Sequence, residues 1–177
     1  MTDIWFISDT HFGHENIIKY CNRPFENAQQ MDEFMIEQWN STVKPGDHVY
    51  HLGDVMMGDR KAGARNLMRL HGKLRLVVGN HDDLKDPLLM NRFEKIMLWR
   101  NWKEIGVTFA HIPLDSEQLP YGIQVHGHIH NKLKEGPYIN VCVEHTNYKP
   151  VHFDQIATWA ETLRKRYPRQ DRRRDNQ

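Results

Sequence analysis

The sequence predicts an α/β fold built on a central, mostly parallel sheet or pair of sheets flanked by helices. Through residue 95, short apolar runs rich in β-branched residues alternate with stretches of helical periodicity, the signature of crossover units. Beyond that point strand-like runs follow one another without helices, which suggests hairpins or a second sheet packed on the first. A chain of 177 residues, 39% apolar and 27% charged, is long enough to bury a core without staples and is expected to form one domain over residues 1–167.

The elements follow in order. "IWFIS", residues 4–8, is a buried strand that ends in the polar tip "DTHFGH". "NAQQMDEFMIEQWNSTV" sets Met31, Phe34, Met35 and Trp39 at helical spacing behind Asn27 as cap, and stops before the turn "KPGD". "HVYHLGD" is a second strand with a polar tip, "RKAGARNLMRLHG" a helix closed by Gly72, and "KLRLVVGNHDD" a third such strand, followed by a helix around 86–95. "KIMLWRNWKEI", "GVTFAHIP", "YGIQVHGHIH" and "YINVCVEH" each read as a strand. "FDQIATWAETLRKRY" is an amphipathic helix with Asp154 as cap and Phe153, Ile156, Ala157, Ala160 and Leu163 on one face. Residues 168–177, "PRQDRRRDNQ", form a basic tail expected to lack ordered structure. Trp5, Phe6, Trp39, Trp99 and Trp102 are expected in the core.

Composition narrows the function. Lys plus Arg (24) nearly cancels Asp plus Glu (23), which argues against general polyanion binding. No basic segment leads into an apolar one at the N-terminus, and no apolar run is long enough to span a bilayer, so neither secretion nor membrane insertion is expected. Cys21 and Cys142 lie far apart without metal-site spacing, the pattern of reduced thiols in a cytoplasmic protein. The twelve histidines stand out, three of them within "HGHIH".

Five strand ends carry Asp, His or Asn: Asp9–His11, Gly53–Asp54, Gly79–Asp82, Ala110–His111 and Gly127–His130. Ligands collect outside the carboxyl ends of strands in open α/β sheets. Polar turn residues are the plain alternative for each block taken singly. Together they offer at least seven oxygen and imidazole donors where one ion takes about four, so the count favours two ions, with an Asp able to bridge them. In "VVGNHDD", Asn80 is a neutral ligand and His81 a proton carrier.

These five blocks, in this order and over residues 3 to about 160, resemble the calcineurin-like metallophosphoesterases. The resemblance implies an α/β sandwich with a dinuclear centre in which Asp9, His11 and His130 hold one ion, Asn80, His111 and His128 the other, and Asp54 bridges. Manganese is the expected metal, with Fe, Zn, Ni or Co also suited to the donors. Two such ions activate a hydroxide for attack on phosphorus. His81 would protonate the leaving oxygen or stabilise its charge, with Asp82 orienting it or capping the next helix. His14 and Arg23 follow the first block and could approach a bound phosphate, or else serve capping and ion pairing. His126 shares a strand face with His128 and could support it, while His51 reads as a packed core residue and His48, His71, His145 and His152 as surface or structural ones. "GDVMMGDR" and "GNHD" depart from the protein Ser/Thr phosphatase pattern, which disfavours that activity. The reading is a phosphodiesterase or phosphomonoesterase acting on a small, nucleotide-like phosphoester in an uncapped site. A nuclease and an inactive scaffold of the same fold are the alternatives; nucleic acid is not the favoured partner, and the oligomeric state is open.

Overall fold

The computed structural model describes residues 2–168, so the predicted tail lies outside the described residues from 169 onward. The first sheet contains β1 (Ile4–Ile7), β2 (His48–His51), β3 (Lys73–Val77), β4 (Phe93–Met97) and β9 (Val151–His152), in the order β4-β3-β2-β1-β9. Strands β1 to β4 are mutually parallel and β9 runs antiparallel to β1. A second sheet has the order β5-β6-β7-β8, from β5 (Trp99–Trp102), β6 (Val107–Ala110), β7 (Gln124–His126) and β8 (Tyr138–Asn140). The helices are α1 (Glu15–Cys21), α2 (Ala28–Thr42), α3 (Arg60–Arg69), α4 (Pro87–Arg92) and α5 (Phe153–Arg166). This is the α/β architecture with parallel-rich sheets that the sequence predicts.

Both faces of the first sheet are covered, which is why its strands read as nearly unbroken apolar runs. Ile7, Val49, Leu74 and Leu76 face a core shared with Met31, Met35, Trp39 and Leu67 of α2 and α3. Their neighbours Phe6, Tyr50 and Val77 face the opposite way, into a core shared with Val107, Phe109, Val125 and Ile139 of the second sheet and Ile156 and Ala160 of α5. Phe6 stacks on Phe109 with ring centroids 4.8 Å apart, joining the two sheets at the middle of the sandwich.

Several expectations need correction. The single strand expected from "KIMLWRNWKEI" is two: β4 closes the first sheet, Leu98 turns outward at 71% exposure, and β5 opens the second. Trp99 beside it is likewise exposed rather than in the core. The helix around 86–95 is only the six residues of α4, because the chain enters β4 at Phe93. A hairpin forms only between β5 and β6; β6, β7 and β8 are parallel, joined without an α-helix. Asp154 does not cap α5. The cap is His152, whose Nδ1 accepts from Asp154 N at 3.2 Å, leaving Asp154 as the acidic residue of the first turn. The short elements α1 and β9 were absent from the sequence reading. No helix among the described residues is long and apolar enough to cross a membrane.

The two sheets meet at their carboxyl ends. Ser8 N donates to Val141 O at 3.0 Å and Val143 N to Ser8 O at 3.1 Å, tying the end of β1 to the segment after β8. Asp9 N and His11 N donate to Gly53 O and Asp54 O, so the loop after β1 is laced to the loop after β2.

Candidate metal centre

The loops at this junction adopt backbone that L-residues avoid. Eight non-glycine residues among those described have positive φ, and five of them are Asp9, His11, Asp54, His128 and His130. Each such residue costs on the order of 1 kcal/mol, and clustered strain of this kind marks functional sites. The glycines of the motifs have a steric reason: a Cβ on Gly127 would fall on Ser8 Oγ and Asp9 Oδ2, and one on Gly79 on the carboxylate and amide of Asp54.

Two clusters of donor atoms result. In the first, Asp9 Oδ1 lies 3.9 Å from His11 Nε2 and 3.8 Å from His130 Nε2. In the second, Asn80 Oδ1 lies 3.0 Å from His111 Nε2 and 2.8 Å from His128 Nδ1. Asp54 Oδ2 stands between them, 3.6 Å from His11 Nε2 and 3.5 Å from His111 Nε2. Atoms bound about 2.1 Å from one ion sit roughly 3 to 3.5 Å apart, so these spacings are close to the edges of a coordination shell.

The chemistry of the donors fits divalent cations. Asp9 Oδ1 and both ring nitrogens of His11 are buried with no hydrogen-bond partner among the described residues, and an unmet buried polar atom costs about 1 to 3 kcal/mol. His111 Nδ1 lies 2.7 Å from Leu52 O, which can only accept, so Nδ1 carries a proton. Burial opposes charging of the ring, but the hydrogen bond of Asp54 and the charge of Asp9 raise its pKa, and once the Nε2 proton leaves, that nitrogen and Asn80 Oδ1 are facing acceptors. A cation between two acceptors satisfies both. Burial pushes the Asp9 carboxyl up and His11 well down. Burial also opposes ionisation of Asp54, but the hydrogen bond and charge of His111, the His81 N–H and the charge of His11 hold its carboxyl well below the usual range.

His81 donates its backbone N–H to Asp54 Oδ1 at 2.9 Å, while its ring is exposed, with its centroid 5.8 Å from that of His11. It shares with His11, His14, His128 and His130 a hollow of about 550 Å³. His14 stands on the wall of this hollow, its ring centroid 5.5 Å from that of His11 and its Nδ1 without a partner. Asp82 does neither of the things the sequence offers for it. Its carboxylate accepts from Asp54 N, Val55 N and Gly79 N at 3.0, 2.9 and 2.8 Å, bracing two loops, while α4 is capped by Asp86. Arg23 also lies away from any substrate position: it is buried, and all five of its N–H groups are engaged inside the protein. Pairing, not phosphate contact, is what the geometry gives it.

His51 is packed, stacked on Trp39, with Nδ1 accepting from Gly53 N at 3.2 Å and Nε2 2.9 Å from Thr10 Oγ1; burial brings its pKa down to about 3. His126 turns Nδ1 to Gly127 O at 2.8 Å rather than to His128. The sequence reading missed Glu144, 3.2 Å from His130 Nδ1, and Cys142, whose Sγ donates to Asp9 Oδ2 at 3.2 Å. Neither has a local signal, since each meets its partner only through tertiary folding.

Asp32 of α2 supports the first loop from behind. It is 3% exposed, its Oδ2 accepts from Gly13 N at 2.9 Å and Asn66 Nδ2 at 2.7 Å, and burial pushes its pKa from 3.8 to about 7. A carboxyl raised on folding costs nothing while protonated in both states, and stability then falls as pH rises from about 4 to about 7. Asp32→Asn is expected to remove this loss, so its melting temperature relative to wild type should climb between pH 5 and pH 8, by the equivalent of a few kcal/mol at most. Parallel melting curves across that range would remove Asp32 from the account.

The chain is similar to known proteins over most of its length. The family described as calcineurin-like phosphoesterase matches residues 2–173. The chain is 40% identical over 172 residues to the uncharacterized protein MJ1445 of Methanocaldococcus jannaschii, covering 91% of this chain and 93% of that one. It is 28% identical over 151 residues to the gene 66 protein of Mycobacterium phage L5, covering 83% and 68%. Among solved structures it resembles AQ665, a protein of unknown function from Aquifex aeolicus, with a TM-score of 0.70 and 29% identity over 89% of this chain and 99% of that one.

Proposed function

The chain belongs to the calcineurin-like phosphoesterase family, and from that premise we propose that it hydrolyses a small, nucleotide-like phosphodiester or phosphomonoester at a two-metal site. The family's chemistry is metal-dependent phosphoester hydrolysis. The observation that carries the finer reading is the place of Asp54 Oδ2, facing one donor cluster through His11 and the other through His111. Asp9, His11 and His130 would hold one ion, Asn80, His111 and His128 the other, with Asp54 shared. Manganese is the metal to supply first, and the two free, buried cysteines suit a reducing cytoplasm.

When bound, paired divalent ions would polarise phosphoryl oxygens and make water a stronger nucleophile at neutral pH. The protein's own groups do the rest. Asp54 fixes the loop of His81 through Oδ1 and faces both clusters through Oδ2, so one carboxylate sets the distance from the donor clusters to the acid. The exposed His81 ring lines the hollow and would pass a proton to the leaving oxygen there. His14 lines the same hollow and would meet the substrate there. A second groove of about 730 Å³ between α2 and α3 shares His14 and Asn16 with the hollow and gives room for the remainder of an extended substrate.

The test begins with chelator-treated protein and bis(4-nitrophenyl) phosphate. Manganese is expected to restore hydrolysis as about two ions bind per chain. A folded protein inert with manganese, iron, cobalt, nickel and zinc would overturn the reading.

A further inference from the structure

We infer that Arg23 and Glu144 form a positioning relay that sets the first donor cluster and leaves the second untouched; the inference rests on the two-metal reading. One guanidinium reaches both sequence blocks that build the first cluster. Arg23 Nη2 donates to Asp9 O at 2.7 Å and Nη1 to Thr10 O at 3.0 Å, so it grips the main chain of the first block where φ is positive. Its Nε and Nη2 also donate to Glu144 Oε1 at 2.9 and 2.7 Å, and the same oxygen lies 3.2 Å from His130 Nδ1.

The direction of that last contact follows from charge. Glu144 beside a guanidinium is ionised and can only accept, so His130 carries its proton on Nδ1. That leaves Nε2 as the nitrogen that would give its lone pair to an ion, and it is Nε2 that faces Asp9 Oδ1 at 3.8 Å. A carboxylate on the far nitrogen fixes ring orientation and raises the basicity of the near one, an effect worth about 10- to 100-fold in metal affinity. Arg23 is what makes the carboxylate tolerable there: the two side chains are 0% and 6% exposed, and a lone buried charge would be strongly unfavourable. Residues 23 and 144 lie 121 positions apart, so the relay clamps the two ends of the ligand series to each other.

The second cluster touches the first through His128 N, which donates to Asp9 Oδ2 at 2.9 Å, but it has supports of its own. His111 is oriented by Leu52 O, and no hydrogen bond among the described residues joins Arg23 or Glu144 to Asn80, His111 or His128. Cys21, His130 and Glu144 also lie close enough to hold an ion of their own. The guanidinium 2.7 Å from Glu144 Oε1 argues against it, because a second cation there would meet that charge at close range.

The test is calorimetric titration of metal-free wild type, Glu144→Gln and Asn80→Ala with manganese, together with imidazole nitrogen NMR of His130 in the zinc-loaded proteins. Glu144→Gln is expected to weaken one of two sites by about 10- to 100-fold and keep the other. Asn80→Ala should weaken the complementary site, and the Nδ1–H resonance of His130 should shift only in Glu144→Gln. If Glu144→Gln does not fold, Arg23→Lys, which keeps the charge but cannot span both partners, is expected to give the same one-site loss. Equal weakening of both sites, an unchanged titration and Nδ1–H resonance, or a third ion lost in Glu144→Gln would each overturn the relay. Wild type that binds two ions but turns over no phosphoester would overturn the proposed function and leave the relay standing, whereas wild type that binds no ion would overturn both.

Discussion

Asp54→Asn is expected to lower turnover by at least about a thousandfold and to abolish paired metal binding. Asp54 is buried, its Oδ1 takes the backbone N–H of His81, and its Oδ2 stands 3.5 to 3.6 Å from a ring nitrogen of each donor cluster. An asparagine keeps the first contact by placing its carbonyl toward His81 N. Its amide nitrogen then occupies the Oδ2 position and aims two N–H groups at the lone pairs of His11 and His111. A shared negative charge becomes a pair of donors, so both clusters lose a ligand and accept hydrogen bonds in place of an ion. A loss of about 4 kcal/mol in transition-state stabilisation, modest for a two-ion clamp, is already a factor of a thousand. Metal content per folded chain and kcat with saturating manganese check this. The metal-free variant should melt at or below the wild-type temperature, since the contacts that hold the Asp54 carboxyl ionised against burial stabilise the fold and an amide cannot replace its charge. Near-normal turnover with two ions bound would take the bridging role from Asp54.

The sequence makes the strand tips legible because a buried strand has no use for Asp, His or Asn at its end, and five such ends recur in a protein with few other clustered polar residues. The same residues are those the structure gathers at the junction of its two sheets. What lies behind them is not legible. Asp82 sits within "GNHD" and reads as a partner for His81, yet it binds three backbone N–H groups, a role set by how two loops approach and not by spacing. Arg23 reads as a phosphate ligand because it is a cation near the first block, and only its burial shows that every N–H is engaged. The second sheet shows a different limit. Period-two alternation is the same whether the next strand returns antiparallel or crosses over parallel, so the hairpin reading of β6 to β8 had no local contradiction. The unbroken apolar run of residues 96–99 likewise hides the step at Leu98 by which the chain leaves one sheet for the other.

His81→Ala is the second substitution with a large expected effect, and its value lies in what it leaves alone. The His81 side chain is exposed, while its fixed contact with the centre is a backbone N–H that alanine retains. Metal affinity and melting temperature should therefore match wild type. The chemical step should depend on the leaving group: an alkoxide must be protonated as it departs, and losing a placed acid costs about 10²- to 10⁴-fold. A 4-nitrophenolate departs without a proton, so its loss should stay within about tenfold. Measuring kcat for an alkyl and an aryl phosphodiester in both proteins separates the roles. A loss confined to the alkyl substrate assigns His81 as the acid. An equal loss on both would mean instead that its ring steadies charge on the phosphoryl oxygens, because that charge develops whichever group leaves.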